Sequence, residues 1–410
     1  MRKILLVILD GMGDRPCPNL GGRTPLESAA TPNMDRLARE GMTGLMDVIA
    51  PGIAPGSDTA HLALLGYDPL EVYTGRGAFE AAGTGVDIRR GDVAFRCNFG
   101  TVDGLMKVID RRAGRISSGT AELATVLNGM RIEDVEVIFK EAVEHRAVLV
   151  LRGPDLSSDV TDVDPHEVGA EVLSSTPLRP EAQKTARILN EFTRKSYELL
   201  KDHEVNVRRM EEGKPPANIA MARGAGSPPD VPPFSELHGM SGAAVVGISL
   251  VEGVCRVSGL DIMDVPGATG GLDTDLGQKV EATIRALGTH DFVLLHIKGT
   301  DICGHDDSPE TKADFIAKAD AALGRLIEGL GDLEEDIVIC VTADHSTPCC
   351  VMEHSADPVP LLVWGKGLRH DGVETFGEHA AAHGGLGKIR GKDLLNILKG
   401  QAGRAEKYGA

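Results

Sequence analysis

The sequence predicts an α/β protein: a mostly parallel sheet with helices on both faces, interrupted by an inserted α+β domain. Three observations carry that expectation. Short, near-continuous apolar runs recur, as in strands buried on both faces: ILLVIL (4–9), FVLLHI (292–297), IVICV (337–341) and PLLVW (360–364). Helical spacing of apolar residues fills segments between them, notably 31–41 and 311–330. From about 83 to about 205 the chain carries a second set of elements, including AVLVL (147–151) and a long helical pattern over 179–203.

Strand, helix and strand in alternation give a sheet with both faces covered. The 410 residues exceed what a single core usually holds, so two domains are expected. Residues 1–82 and 206–410 form one discontinuous domain in this reading, and 83–205 the insertion. The stretch 211–234, rich in Pro and Gly, reads as a linker or hinge. Alternation resumes near GAAVVGISLV (242–251).

Composition narrows the partners. A formal charge of −18 with 3% aromatics argues against a nucleic-acid surface, which needs a basic footprint and stacking rings. A small phosphorylated substrate remains compatible, provided cations gather locally. Seven cysteines without any CxxC pair suit a reducing cytoplasm rather than a disulfide framework. The apolar run of MRKILLVILDG is too short for a signal-peptide core and stops at Asp10. A cytoplasmic protein with no membrane partner is therefore expected, and a homo-oligomer stays open.

Ligands in open α/β sheets sit beyond the carboxyl ends of strands. Three of the expected strands finish in metal-ligand chemistry. Asp10 follows ILLVIL, Asp301 and His305 follow FVLLHI, and Asp344 with His345 follow IVICV. His354 precedes a fourth strand. Taken singly, each has an ordinary explanation as a turn, a solvated pair or a helix cap. Together, three Asp and three His at one sheet edge suffice for two divalent ions. Mixed carboxylate and imidazole donors suit Mn²⁺ or Zn²⁺ better than Ca²⁺.

Ser57, in APGSDTAHLALLGYDP, stands after a Pro-Gly turn at the start of a helical pattern. By itself it reads as a helix cap. Beside a metal centre it reads differently, because coordination activates a serine hydroxyl and a helix N-terminus welcomes an anion. VIDRRAGR (108–115), in the insertion, sets Asp110 beside Arg111, whose guanidinium fork suits phosphate or carboxylate. Lys298 follows a ligand-bearing strand, and Arg223 lies within the hinge stretch.

The chain resembles the archaeal-type, 2,3-bisphosphoglycerate-independent phosphoglycerate mutases of the alkaline phosphatase superfamily. LDGMGD, LGGRTPLESAATPNMDRLAREG, PGSDTAHLALLGYDP, YTGRGAFEAAGTG, GDVAFRCNF, HIKGTDICGHD and VTADHSTPC carry the resemblance, which runs over essentially the whole chain. It implies an alkaline-phosphatase-like fold with a lid domain, and interconversion of 3-phosphoglycerate and 2-phosphoglycerate in glycolysis and gluconeogenesis. It implies a phosphoserine at Ser57 and two divalent metals, Mn²⁺ first, with Zn²⁺, Co²⁺ or Mg²⁺ as alternatives, and no bisphosphoglycerate. One metal would use Asp10, Ser57, Asp344 and His345, the other Asp301, His305 and His354. Asp110 resembles the proton-handling acid of the longer bacterial-type mutases, and Arg111, Arg223 and Lys298 their substrate contacts. Here Ser57 sits in Gly-Ser-Asp, where those enzymes have Asn-Ser-Glu. A metal-dependent phosphohydrolase and a phosphotransferase such as a homoserine kinase are the alternatives.

Overall fold

In chain order the strands are β1 (Lys3–Leu9), β2 (Met42–Asp47), β3 (Val93–Val102), β4 (Val108–Asp110), β5 (Arg131–Ile132), β6 (Val135–Glu141) and β7 (Arg146–Arg152). There follow β8 (Ile219–Gly226), β9 (Gly242–Val245), β10 (Asp261–Ile262), β11 (Phe292–Ile297), β12 (Ile337–Thr342), β13 (Val359–Trp364) and β14 (Gly387–Arg390). The structure, a computed structural model, describes residues 1–407 and 409. Contacts divide it into two compact units, Met1–Val72 with Val231–Ala410, and Tyr73–Asp230.

The first unit holds an eight-stranded sheet in the order β10-β9-β11-β1-β12-β13-β2-β14. KILLVIL has no polar face, so β1 suits a central strand covered on both faces, and it lies between β11 and β12, parallel to both. Every residue of β11, β12 and β13 is buried, so both faces of the sheet are covered. Each buried Leu, Ile or Val contributes about 1.5–3 kcal/mol. Helices Pro32–Glu40, Leu276–Thr289 and Pro309–Leu330 pack as one group, and Ser57–Leu64 with Ser249–Val257 as another. The sheet is mostly parallel. β13 is the exception, antiparallel to both β12 and β2. A continuous apolar run encodes burial on two faces and says nothing about direction, so this reversal is invisible in PLLVW.

The second unit is built on the antiparallel order β4-β3-β7-β6-β5, with β8 also pairing β3. Helix Gln183–Leu200 packs against β8 and closes a core around Phe95, Phe99, Phe139 and Phe192. The unit is wider than the insertion expected over 83–205, and the reason is specific. IAMARGAG, inside the stretch read as a linker, forms β8 and pairs with β3 from Gly100↔Ile219 to Ala94↔Gly226. Prolines at 215, 216, 228 and 229 flank this strand and lie outside it, so the Pro/Gly composition marks its ends. Helix Gly77–Gly83 packs on β3 and draws the other boundary back to Tyr73. The expected helix over 179–203 ends at Leu200 and is followed by a separate one, Glu204–Glu211.

Among the described residues all seven cysteines are free, and no helix is long and apolar enough to cross a membrane.

Candidate active site

Four segments of the first unit bring their polar residues together. Asp10 directly follows β1, and its backbone N–H still bonds the Ile297 carbonyl at the end of β11. Gly11 turns the chain with φ +65°, where a Cβ would lie 2.5 Å from Thr347 Oγ1, so only glycine fits. Beyond β11, the helix Gly299–His305 sets Asp301 and His305 one turn apart on one face. Asp344 and His345 follow β12, and His354 sits in the loop leading to β13. Ser57 is the first residue of its helix, and Gly56 occupies the capping position, its N–H bonded to Thr59 Oγ1 at 3.1 Å. Ser57 is thus spared from capping.

His345 Nε2 is the focus. It lies 3.3 Å from Asp10 Oδ1, 3.3 Å from Asp344 Oδ2 and 3.3 Å from Ser57 Oγ. Asp10, Asp344 and His345 are fully buried. Asp10 Oδ1 and Asp344 Oδ2 have no hydrogen-bond partner, an expensive condition for buried carboxylate oxygens. A divalent cation among them would satisfy both, and the donor set of carboxylate, imidazole and hydroxyl suits such an ion. Asp301, His345 and His354 form a second group, their ligand atoms within 4.8 Å of one another, as are those of Asp10, Asp344 and His345. His305 Nε2 lies 3.3 Å from Asp301 Oδ1.

The histidine tautomers follow from chemistry. A carbonyl can only accept, so His305 Nδ1–H donates to Met352 O and His354 Nδ1–H to Pro55 O, both at 2.8 Å. Each Nε2 faces Asp301, at 3.3 Å and 3.5 Å, and although burial opposes charge on His354, the Asp301 carboxylate raises its pKa. Lys298 bridges the two groups, its Nζ 3.2 Å from Asp10 Oδ2 and 2.5 Å from Asp301 Oδ2. Burial opposes charge on Asp10, yet Lys298, His296 and His345 hold its carboxyl well below the usual range. Burial and the neighbouring Asp10 charge push Asp344 the other way. Burial likewise opposes charge on Lys298, but Asp10 and Asp301 keep its ammonium protonated.

Two histidines to which the sequence assigns no site role, although both lie in motifs of the resemblance, stand behind these groups. His296 Nε2–H donates to Asp10 Oδ2 at 2.8 Å, and His61 Nδ1–H donates to Ser57 O at 2.7 Å. Both are fully buried, and burial pushes each down to about 4, so both are neutral at pH 7. Their sequence signal is weak, since His296 lies inside an apolar strand and His61 inside a helix.

The remaining expected residues lie in the second unit. Arg111 forks onto Asp164, Nε to Oδ1 at 3.0 Å and Nη2 to Oδ2 at 2.7 Å. Arg223 Nε is 3.8 Å from Asp164 Oδ2 and buried without a hydrogen bond. Arg96 stands opposite Arg223 in the β3–β8 register and shares Glu80 with Arg76, at 3.1 Å and 2.9 Å. Burial and the adjacent Arg76 lower Arg96 to about 10. Four guanidiniums stand among three carboxylates, Glu80, Asp164 and, near Arg223, Asp162, and leave a surplus of positive charge. Arg76 and Arg96 were not singled out by sequence reasoning, although both lie in motifs quoted above, YTGRGAF and VAFRCNF. Asp110 is employed locally: its oxygens accept the amides of Arg112 at 2.7 Å and Gly114 at 2.9 Å, closing a turn.

A largely parallel sheet whose strand ends gather carboxylates and imidazoles, interrupted by an arginine-bearing unit, defines a member of the alkaline phosphatase superfamily. The family model for 2,3-bisphosphoglycerate-independent phosphoglycerate mutase matches residues 38–206, and that for type I phosphodiesterase / nucleotide pyrophosphatase matches residues 257–361. The 2,3-bisphosphoglycerate-independent phosphoglycerate mutase of Methanopyrus kandleri is 54% identical, over 100% of this chain and 98% of that one. Its counterpart from Thermococcus kodakarensis is 50% identical, over 100% and 99%. Among solved structures, the cofactor-independent phosphoglycerate mutase of Thermoplasma acidophilum superposes with a TM-score of 0.76 at 39% identity, covering 98% of this chain and 100% of that one. A Pyrococcus horikoshii protein gives 0.87 at 41% identity, covering 100% and 99%. The chain belongs to the archaeal 2,3-bisphosphoglycerate-independent phosphoglycerate mutase family.

Proposed function

We propose that this protein interconverts 3-phosphoglycerate and 2-phosphoglycerate without bisphosphoglycerate, through a phosphoserine on Ser57. One observation carries the reading: the Ser57 hydroxyl, at a helix N-terminus and free of capping, converges on His345 Nε2 together with two unpartnered carboxylate oxygens. Asp10, Ser57, Asp344 and His345 would hold one divalent ion, and Asp301, His305 and His354 another, with Mn²⁺ the preferred metal. Such ions supply neutralisation of phosphoryl charge and a lowered pKa for the serine hydroxyl.

The chain's own groups do the rest. Ser57 Oγ forms a bond to phosphorus as the glycerate oxygen leaves, and the other glycerate hydroxyl later reverses that exchange. The N-terminal end of helix Ser57–Leu64 would favour the phosphoryl anion. Lys298, held charged by Asp10 and Asp301, adds a cation beside it. Arg76, Arg96, Arg111 and Arg223 take the substrate's anionic groups. Asp110, whose carboxylate also closes its own turn, is the acid proposed to move the hydroxyl protons, and the 73–230 unit is proposed as a lid that excludes water while the phosphoserine waits. The test is direct: 3-phosphoglycerate with Mn²⁺ and no bisphosphoglycerate yields 2-phosphoglycerate. Free phosphate as the main product would replace the mutase with a hydrolase.

A further inference from the structure

Thr347 lies two residues beyond His345, in VTADHSTPC, and every polar atom it has is in use. Its N–H donates to Gly13 O at 3.1 Å, and its carbonyl accepts from Lys312 Nζ at 2.9 Å. Lys312, fully buried on helix Pro309–Leu330, also binds Asp14 Oδ2 at 2.8 Å, so this loop is tied to the loop after β1. A Cβ on Gly304 would lie 2.3 Å from Thr347 O, and one on Gly11 2.5 Å from Thr347 Oγ1. Two glycines therefore make room for this threonine.

The hydroxyl sits between the two ligand groups. Thr347 Oγ1 is 2.8 Å from Asp301 Oδ1 and 3.0 Å from His345 Nδ1. A hydroxyl has one proton and lone pairs to spare. An ionised carboxylate only accepts, so that proton goes to Asp301. The hydroxyl oxygen then accepts Nδ1–H from His345, and Nε2, the ring atom that faces Asp10 and Asp344, is the one that would meet an ion. A single hydrogen-bond relay thus orients Asp301 and fixes the His345 tautomer.

We propose that Thr347 is a positioning residue that links the two metal groups: its hydroxyl orders a donor in each, so that the groups are assembled together. The proposal rests on the metal assignment above. Its consequence is that loss of the hydroxyl weakens both ions, although Thr347 touches neither. Partners of this kind typically change metal affinity roughly 10–100-fold.

Two measurements on the full chain test it, neither using activity. In Zn²⁺-loaded protein, ¹⁵N NMR of histidine-labelled samples should show His345 carrying its proton on Nδ1, with Thr347→Val shifting the Nδ1 resonance and Thr347→Ser restoring it. Titration with Mn²⁺ alone, followed by calorimetry and electron paramagnetic resonance, should give two sites in the wild type. Thr347→Val should weaken both roughly 10–100-fold, and Thr347→Ser should bind nearly as the wild type does. Unchanged affinity for both ions in a folded Thr347→Val overturns the role of Thr347 while leaving the metal assignment intact. Equal weakening by the serine variant also overturns it, since the hydroxyl is retained there. Failure of the wild type to bind Mn²⁺ overturns the metal assignment and this proposal with it.

Discussion

Arg96 and Arg223 occupy one register position across β3 and β8, two arginines opposite each other on neighbouring strands, and each charge opposes the other. Like charges directly opposite cost stability, and such pairs are worth roughly 0.2–1 kcal/mol. Glu80 and Asp164 offset part of the repulsion, and a bound anion would offset more. Arg96→Met is therefore expected to keep or slightly raise thermal stability while raising the KM for 3-phosphoglycerate roughly 10–100-fold, a loss of about 1.5–3 kcal/mol. Thermal melts with and without phosphate, set beside kinetics, check both halves. A variant that loses stability and keeps its KM would remove these arginines from substrate binding.

Ser57→Ala should fold normally and lose at least roughly four orders of magnitude in turnover. Peptide mapping of acid-quenched wild type should place phosphate on Ser57. A working alanine variant, with no phosphate trapped on the wild type, returns the residue to a purely local role in its helix.

Chelation should abolish activity and Mn²⁺ restore it. Asp344→Asn should lower metal content as well as turnover, because it removes the charge of a buried oxygen that otherwise has no partner. Metal analysis of the purified variant, compared with the wild type at equal folding, decides the matter. Full metal occupancy in Asp344→Asn would exclude this carboxylate as a ligand.

Arg111→Ala should shift the balance of products. With one fork of the arginine group gone, mutase activity is expected to fall more than release of free phosphate, so the ratio of hydrolysis to isomerisation rises. The same assay with both products quantified gives the answer. A proportional fall of both would show that this arginine contributes nothing to keeping water away.

Glu378 gives the pH prediction. Its carboxyl accepts from Thr24 Oγ1 at 2.7 Å and Asp14 N at 3.1 Å, and burial pushes it from 4.5 up to about 7. Between those values the folded chain binds the proton that the unfolded chain has released. Stability from this group therefore falls as pH rises from about 4.5 to about 7. Glu378→Gln should flatten that decline by on the order of 1–2 kcal/mol between pH 5 and pH 8. Urea midpoints for both proteins at the two pH values measure it, and parallel declines would refute it.

Much of the site is legible in the sequence because apolar runs mark where strands stop. Asp10, Asp301, Asp344 and His345 each stand within a few residues of such a stop, so the sheet edge can be assembled on paper. The capping assignment of Ser57 is not legible, since the choice between Gly56 and Ser57 depends on one backbone turn. His61 and His296 are hidden by the same rule that exposes the others: they lie inside apolar elements, where a histidine gives no periodic signal. Thr347 is hidden for another reason, because its partner Asp301 is 46 residues away. β8 escapes notice since small residues between prolines carry little hydrophobic pattern, and its pairing with β3 exists only in three dimensions. Arg96 and Arg223 become a pair through that same register.

The position of β1 has a consequence for the birth of the protein. Its neighbours are Phe292–Ile297 and Ile337–Thr342, so an early strand waits for two made much later. At about 5–20 residues per second the wait on a ribosome is on the order of tens of seconds. Meanwhile Tyr73–Asp230, contiguous in sequence and closed on its own core, has all it needs to fold as it emerges. During that interval ILLVIL is a bare, sticky segment of the nascent chain. The burden of keeping it from other chains falls on whatever meets it outside the exit tunnel.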